Sequence, residues 1–239
     1  LSHYKKVLNL EDLHFTQVRS IDEIQHRKVN VINCQEECPE IISGVETQEA
    51  GKLAMAAFAA AVEDLKAGKI QGLVTAPLSK GNINSETQPF VGHTEYLIEA
   101  TGSKSGLMML VGEDLRVGLV TGHIPLAQVP AAVTKEKVME KAKIFIQSLE
   151  KDFGINKPKI AILGLNPHAG EEGLLGSEEE TILKPAIQEL KDAKQYVFGP
   201  YPADGFFGMM HQQKFDGVLA LYHDQGLIPF KSIAFSSGV

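Results

Sequence analysis

The sequence lacks an apolar run long enough to cross a bilayer. Its longest, Leu53 to Val62, has ten residues, whereas a spanning helix needs roughly 20. The N-terminus shows no basic stretch followed by an apolar one, so nothing there indicates a secretion signal. Cysteine is scarce, with only Cys34 and Cys38, and a single Cys-x-x-x-Cys pair favours two ordinary thiols over a metal site. This usage is typical of a reducing compartment, and we expect a cytoplasmic protein that has no membrane partner.

Positive charge is also in short supply. The formal net charge is −7 over 239 residues, which argues against a general nucleic-acid surface. No Walker loop, no G-x-S-x-G elbow and no G-x-G-x-x-G fingerprint occurs. The glycine-rich stretch from Gly170 to Gly176 follows a strand-like run only after Asn-Pro-His. Pattern alone therefore does not indicate a nicotinamide cofactor.

What the sequence does contain is an alternation of apolar, strand-like runs with helical patterns. Thr47 and Thr134 are predicted N-caps of long helices, from Gln48 to about Lys66 and from Lys135 to about Lys151. Ser177-Glu-Glu-Glu180 fits a capping box for a later helix, which Pro185 should bend or split. The predicted strands are 29–33, 70–75, 107–111, 115–120, 159–163, 196–198, 218–221 and, as the last, 230–235. Such alternation predicts an α/β fold, a mostly parallel sheet with helices on both faces.

Three histidines, His123, His168 and His223, each lie just past the end of a predicted strand. Ligands of open α/β sheets bind beyond the carboxyl ends of the strands. A lone histidine there is more often a structural hydrogen-bonding residue, but three in the same setting favour a shared metal. Three protein ligands leave coordination positions open, as in catalytic sites. Imidazoles suit zinc, cobalt, nickel or iron better than calcium.

Other side chains are candidates for supporting roles. Asp224 and Asp204 are candidate partners for the second ring nitrogen of a ligating histidine, although Asp204 also fits a turn or a helix N-cap. In Gly92-His93-Thr94-Glu95, free backbone N–H groups at a helix start would favour an anion such as phosphate, and the alternative is a plain helix cap. Lys80 and Lys231 follow predicted strand ends, where each would be an anion ligand or an ordinary surface lysine.

Together, these motifs resemble the 4-hydroxythreonine-4-phosphate dehydrogenase family of vitamin B6 synthesis. The residues that carry the resemblance are Gly72–Asn84, Phe90–Tyr96, Thr121–Leu126, Gly164–Glu171, Gly199–Asp204 and Tyr222–Gly226, continuing to Lys231. It covers most of the chain from about Thr47 to Val239. The family's glycine- and proline-rich N-terminal strand would precede Leu1, and further substrate and cofactor residues would follow Val239, so we expect a longer natural chain.

The resemblance implies a two-domain α/β/α fold with mostly parallel sheets, like that of isocitrate and isopropylmalate dehydrogenases. Residues 1–88 would form the first domain and residues 89–239 the second, which would carry the metal histidines and whose last residues would return toward the first. Members are homodimers with active sites shared between subunits. NAD would bind in the isopropylmalate dehydrogenase mode, which needs no classical fingerprint, and no cofactor-binding residue is assigned.

The family's site residues can be carried over by motif. A divalent metal, zinc before magnesium or cobalt, would be held by three histidines drawn from both subunits, which here are His123, His168 and His223. His93, Thr94 and Lys231 would bind substrate, and Asp204 and Asp224 would maintain the site. We count Asp224, Lys231 and Asp204 as the candidate catalytic residues.

The expected reaction is NAD-dependent oxidation of 4-phosphooxy-L-threonine to a 3-oxo acid, which decarboxylates to 3-amino-2-oxopropyl phosphate in pyridoxal phosphate biosynthesis. A related family member would instead oxidise D-threonate or D-erythronate 4-phosphate. A non-redox metal-dependent lyase or hydrolase is a second alternative, and a non-catalytic metabolite-binding protein is a third.

Overall fold

A computed structural model describes residues 2–35, 42–83 and 92–239 of the chain. The chain divides into two compact units, Leu1–Lys104 and Ser105–Val239. The predicted domain boundary, between residues 88 and 89, lies outside the described residues and stays a prediction. No helix in the described ranges is both long and apolar enough to cross a membrane.

The first unit is built around one long helix. Its elements are α1 (Ser2–Val7), β1 (Thr16–Val18), β2 (Asn30–Ile32), α2 (Gln48–Lys66), α3 (Lys80–Ile83) and α4 (His93–Thr101), with β1 and β2 paired in parallel. Helix α2 has the predicted bounds, and its N-cap Thr47 accepts a hydrogen bond from the Ala50 N–H at 3.2 Å. Phe58 and Val62 of α2 form the buried core of the unit.

The second unit holds a five-stranded sheet in the order β3-β4-β7-β5-β6. Its strands are β3 (Met109–Val111), β4 (Arg116–Leu119), β5 (Ile160–Leu163), β6 (Val197–Tyr201) and β7 (Gly217–Ala220). Strand β3 pairs antiparallel with β4, and the other neighbours pair in parallel. The mostly parallel sheet confirms the predicted α/β class.

Helices cover both faces of this sheet. They are α5 (Val129–Ala132), α6 (Lys135–Lys151), α7 (Lys184–Asp192), α8 (Ala203–Gly208) and α9 (His223–Ala234). Ile160 and Ile162 of β5 pack in one cluster with α6 and α7, whereas Ala161 and Leu163 pack in another with α8 and α9. Because successive strand residues face opposite sides, burial on both sides explains why these strands are uninterrupted apolar runs.

Two strand predictions were wrong. Residues 70–75 form no strand, and the Val74 side chain is 99% exposed. A strand needs a neighbour to satisfy its backbone, and in the described part of the first unit β1 and β2 pair only with each other. Residues 230–235 were also misassigned, because Phe230 and Ala234 lie on the buried face of α9 together with Gly226 and Leu227. That spacing of three to four residues is helical.

The helix after Ser177 is irregular just before Pro185, but it is not split there. A π-helical turn at Glu179–Leu183 continues directly into α7, with helical backbone angles at Leu183 and Lys184, and Pro185 lies in the first turn of α7. No side chain caps this π turn, so the predicted capping box was wrong.

We expect the packing of α9 on the sheet to depend on Gly226. A Cβ atom at this position would lie 2.7 Å from Leu119 Cδ2 and 2.9 Å from Val117 Cγ1. Gly226→Ala should therefore lower the free energy of unfolding by about 1–3 kcal/mol, as overpacking does. The matched control is Gly205→Ala in α8, where nothing lies within 4 Å of the added Cβ and no loss is expected. Urea unfolding of both variants measures the difference, and equal stabilities would contradict the tight contact.

Candidate functional site

The three predicted metal histidines follow the carboxyl ends of three neighbouring strands of the sheet in the second unit. Strand β4 pairs in parallel with β7, and β7 pairs in parallel with β5, so the chain segments that follow these strands begin side by side. His123 follows β4, His223 follows β7 and His168 follows β5. Ligand sites of α/β proteins lie at this edge.

His123 and His223 come together. Their ring centroids are 5.3 Å apart. His123 is exposed on an irregular segment, and His223 is half-buried as the first residue of α9. The Nδ1–H of His223 donates to Asp224 Oδ1 at 2.7 Å. This hydrogen bond selects the tautomer in which Nε2 carries the free lone pair.

Two polar side chains, the buried Thr121 and the half-buried Gln225, fix the strand ends that precede these histidines. Thr121 lies two residues before His123, and the Oγ1 of Thr121 donates to the Leu221 carbonyl at 2.7 Å. Gln225 accepts from the Leu221 N–H at 2.7 Å and donates to the Gly164 carbonyl at 2.6 Å. Gln225 therefore ties the end of β7 to the end of β5. The sequence analysis assigned no role to Thr121 or Gln225, although Gln225 directly follows the His223-Asp224 pair.

His168 lies on an exposed loop of unusual backbone geometry. Residues 168–172 all have positive φ, with values of 54° at His168, 52° at Ala169, 80° at Gly170, 44° at Glu171 and 57° at Glu172. Left-handed geometry at a residue other than glycine costs about 1 kcal/mol or more. A run of this kind persists only where its surroundings hold it.

No cluster of three or more histidine, cysteine or acidic side chains in the described ranges has a metal-holding arrangement. One copy of the chain thus pairs His123 with His223 and does not add His168. The resemblance implies ligands from two copies, so a single copy is not expected to assemble the full set. The three-histidine site stays a prediction.

Both acidic candidates line a pocket beside His223. The pocket has a volume of about 290 Å³, and Asp204, Asp224, Tyr222 and Gln225 are among its walls. Asp204 is an exposed residue in the first turn of α8, whose N-cap is Pro202, so Asp204 is not the cap. The pocket is near the lower end of the size range of small-molecule sites.

The lysine candidates do not lie where the sequence pattern suggested. Lys231 is an exposed residue inside α9, eight residues after His223, or roughly 12 Å along the helix axis. It does not follow a strand end, because it lies inside this helix. Lys80 begins α3 and follows no strand either, since residues 70–75 form none.

His93 and Thr94 belong to the first unit, where they begin α4. His93 is half-buried and makes an edge-to-face contact with Phe58, with the ring centroids 5.0 Å apart, whereas Thr94 is exposed. Glu95 Oε2 lies 2.6 Å from where a Cβ of Gly92 would be, so the helix start already has a carboxylate beside it. The predicted anion site therefore has an acidic neighbour.

The acidic side chain of Glu178 contacts the segment that leads to His168. Its carboxylate accepts from the Asn166 side-chain amide at 2.8 Å. The pKa of Glu178 is lowered, first by a hydrogen bond from its own backbone N–H and next by the bond from Asn166. The ionised form is therefore favoured in the folded state.

This lowered pKa predicts a pH dependence. The contribution of Glu178 to the free energy of unfolding should be fully present above the ordinary glutamate pKa of about 4.3. It should be lost as the pH falls through the lowered pKa. Glu178→Gln should thus be less stable than the wild type at neutral pH, and the difference should vanish in acid. Urea unfolding across that pH range measures it, with exposed Glu150→Gln as the control, and a difference independent of pH would contradict the assignment.

Comparison with known proteins assigns the chain to a family. The family model described as "Pyridoxal phosphate biosynthetic protein PdxA" matches residues 2–239. A 4-hydroxythreonine-4-phosphate dehydrogenase of Bacteroides thetaiotaomicron is 43% identical over 239 residues, all of this chain and 65% of that protein. One of Sulfurihydrogenibium sp. is 38% identical over 234 residues, which are 98% of this chain and 71% of that protein.

A solved structure agrees with these matches. The crystal structure of a 4-hydroxythreonine-4-phosphate dehydrogenase from Burkholderia phymatum superposes with a TM-score of 0.82 at 33% identity, covering 98% of this chain and 71% of that one. The chain spans about two thirds of the length of these relatives. It belongs to the family of the pyridoxal phosphate biosynthetic protein PdxA.

Proposed function

We propose that the complete protein is an NAD-dependent, metal-requiring dehydrogenase. Its substrate would be 4-phosphooxy-L-threonine, which it oxidises at C3 to a 3-oxo acid. Loss of CO₂ then gives 3-amino-2-oxopropyl phosphate. The observation that carries the proposal is the pairing of His123 and His223 at the carboxyl edge of the sheet, beside a pocket with two carboxylates. The names of the family and its relatives support the choice of substrate.

The histidines have the donor chemistry that a divalent metal requires. The hydrogen bond from His223 to Asp224 leaves Nε2 available as a ligand atom, an arrangement common among metal-binding histidines. The neighbouring ring of His123 offers a second nitrogen. His168 would complete the set across two copies of the chain, so the active form would be a homodimer. Zinc suits three imidazoles best, and cobalt and magnesium are the alternatives.

When bound, the metal would supply Lewis acidity that lowers the pKa of the substrate hydroxyl and stabilises the enolate formed on decarboxylation. The remaining steps need groups of the chain itself. Asp224 is engaged with His223 and would keep that ring oriented. Asp204 lines the pocket beside His223 and would accept the proton of the substrate hydroxyl. Lys231, His93 and Thr94 have the donors to hold the phosphate and carboxylate of the substrate.

When bound, NAD would supply the acceptor for the hydride of C3 of the substrate. The 290 Å³ pocket suits one ring or the carbon skeleton of the substrate rather than a whole dinucleotide. Its walls mix apolar and acidic side chains, Phe207 and Ile228 with Asp204 and Asp224. Such a lining fits either the nicotinamide ring or the polar carbon skeleton of the substrate.

We expect His168→Ala to abolish both metal binding and NADH formation, because the proposed metal would lose one of its three protein ligands. Zinc titration by calorimetry and the absorbance of NADH measure the two effects. The control is His26→Ala, which removes an exposed histidine of the first unit. Full activity of the His168 variant without metal would overturn the scheme. Parallel assays with D-threonate and D-erythronate 4-phosphate identify the substrate.

Asp224→Asn should weaken zinc binding by about 10–100-fold, the usual loss when the hydrogen-bond partner of a ligating histidine is removed. Asparagine keeps the size of the side chain but loses the negative charge that stabilises the required tautomer of His223. Zinc titration measures the change, and the control is Asp114→Asn in the exposed turn between β3 and β4. An unchanged affinity would show that Asp224 does not support the ligand.

A further inference from the structure

Glu179 is a fully buried carboxylate that the proposed reaction does not use. Its side chain is 0% exposed. Among the described residues, no lysine, arginine or histidine forms an ion pair with it. Burying an unpaired charge costs several kcal/mol unless hydrogen bonds compensate for the lost water. Stability alone would favour an apolar side chain here, because Glu179 lies on the same helical face as the buried Leu183, Ala186 and Leu190.

The compensating hydrogen bonds all come from one segment. Glu179 Oε1 accepts from the backbone N–H groups of Leu165 and Asn166, both at 2.7 Å. Oε2 accepts from the side-chain amide of Asn166 at 2.9 Å. This segment leads from the end of β5 through Pro167 directly to His168. The carboxylate therefore holds the chain two residues before the histidine.

The same carboxylate supports the left-handed run that follows. A Cβ at Gly170 would lie 2.6 Å from Glu179 Oε2, and one at Gly164 would lie 3.3 Å from Oε1. Both backbones therefore pass directly against the carboxylate, and the loop curls around it. The backbone of Ala169 returns to that of Gly164, because the Ala169 Cα lies 2.9 Å from where a Cβ of Gly164 would be. Such close approach is possible only where glycine leaves room.

We infer that Glu179 is a positioning residue, which acts through the 165–170 backbone to fix where His168 projects. The inference rests on the proposed function, in which His168 is a metal ligand. Three charge-assisted hydrogen bonds offset the cost of left-handed geometry at His168 and Ala169. Without them the loop would relax toward ordinary φ values, and the imidazole of His168 would lose its fixed direction.

The test is zinc titration of the intact protein by calorimetry. Glu179→Gln keeps the shape of the side chain, but its amide nitrogen cannot accept the hydrogen bonds that one carboxylate oxygen accepts. We expect zinc affinity to fall about tenfold or more, the scale on which supporting hydrogen bonds act at metal sites. The matched control is Glu180→Gln, which alters the next residue of the same turn, where the carboxylate pairs with Lys184. Its affinity should equal that of the wild type.

Melting with and without zinc separates positioning from general stability. If Glu179 acts through His168, Glu179→Gln should lower zinc affinity and should therefore reduce the rise in melting temperature that a fixed zinc concentration gives the wild type. A purely structural role would lower the melting temperature equally with and without zinc and leave the affinity of the folded protein unchanged. That second result would overturn the inference.

The proposed function and the inference fail in different ways. If His168→Ala binds zinc like the wild type, His168 is not a ligand and the proposed function fails. If His168→Ala loses zinc but Glu179→Gln does not, only the inference fails. Should Glu179→Gln not fold, Asn166→Ala is decisive, because it removes one of the three hydrogen bonds and leaves the two from the backbone. A smaller loss of zinc affinity supports the inference, and wild-type affinity overturns it.

Discussion

The parallel pairing of β4 with β7, and of β7 with β5, is the constraint on which the rest of the site depends. Parallel neighbours lie about 4.8 Å apart and run in one direction, so the segments that follow them must start side by side. His123 and His223, a hundred residues apart in sequence, reach a ring separation of 5.3 Å for this reason. The sheet can impose this order because the residues of β5 and β7 are buried on both faces and those of β4 are mostly buried.

The sheet brings the segments that follow β4, β5 and β7 to one edge. Polar side chains then fix the backbone conformation of these segments. Thr121 and Gln225 bind the backbone at the ends of β7 and β5, and Glu179 binds the backbone that follows β5. Thr121 and Glu179 are buried and Gln225 is half-buried, whereas His123 and His168 are exposed. The exposed imidazoles remain available to a ligand, and the hydrogen bonds of these less exposed side chains provide the rigidity. The two requirements are met by different residues.

Much of this could be predicted from sequence because the signals are local. Threonine followed by a helical pattern gave α2 and α6 with the observed bounds, and apolar runs gave the strands of the second unit. The predictions failed where the outcome depends on distant partners: residues 70–75 resemble a strand, yet no described neighbour pairs with them. The sequence pattern around Glu179 was wrongly interpreted as a helix cap. A glutamate in register with Leu183 and Leu190 on an apolar helical face indicates a buried carboxylate, whereas the acidic run suggested a cap.

The three histidines differ in backbone conformation and in how much that conformation depends on neighbouring residues. His223 begins a regular helix, where its backbone needs no special support, and His123 follows a short extension of the β4–β7 pairing. His168 instead begins a run of six consecutive residues with positive φ, whose geometry depends on Glu179, on Gly164 and on Gly170. The position of His168 is therefore the most costly to maintain, and the residues that maintain it lie in the core. It follows that substitutions beneath the loop should disturb the site more than substitutions on its exposed surface, since surface residues such as Glu171 make none of the hydrogen bonds to the buried carboxylate.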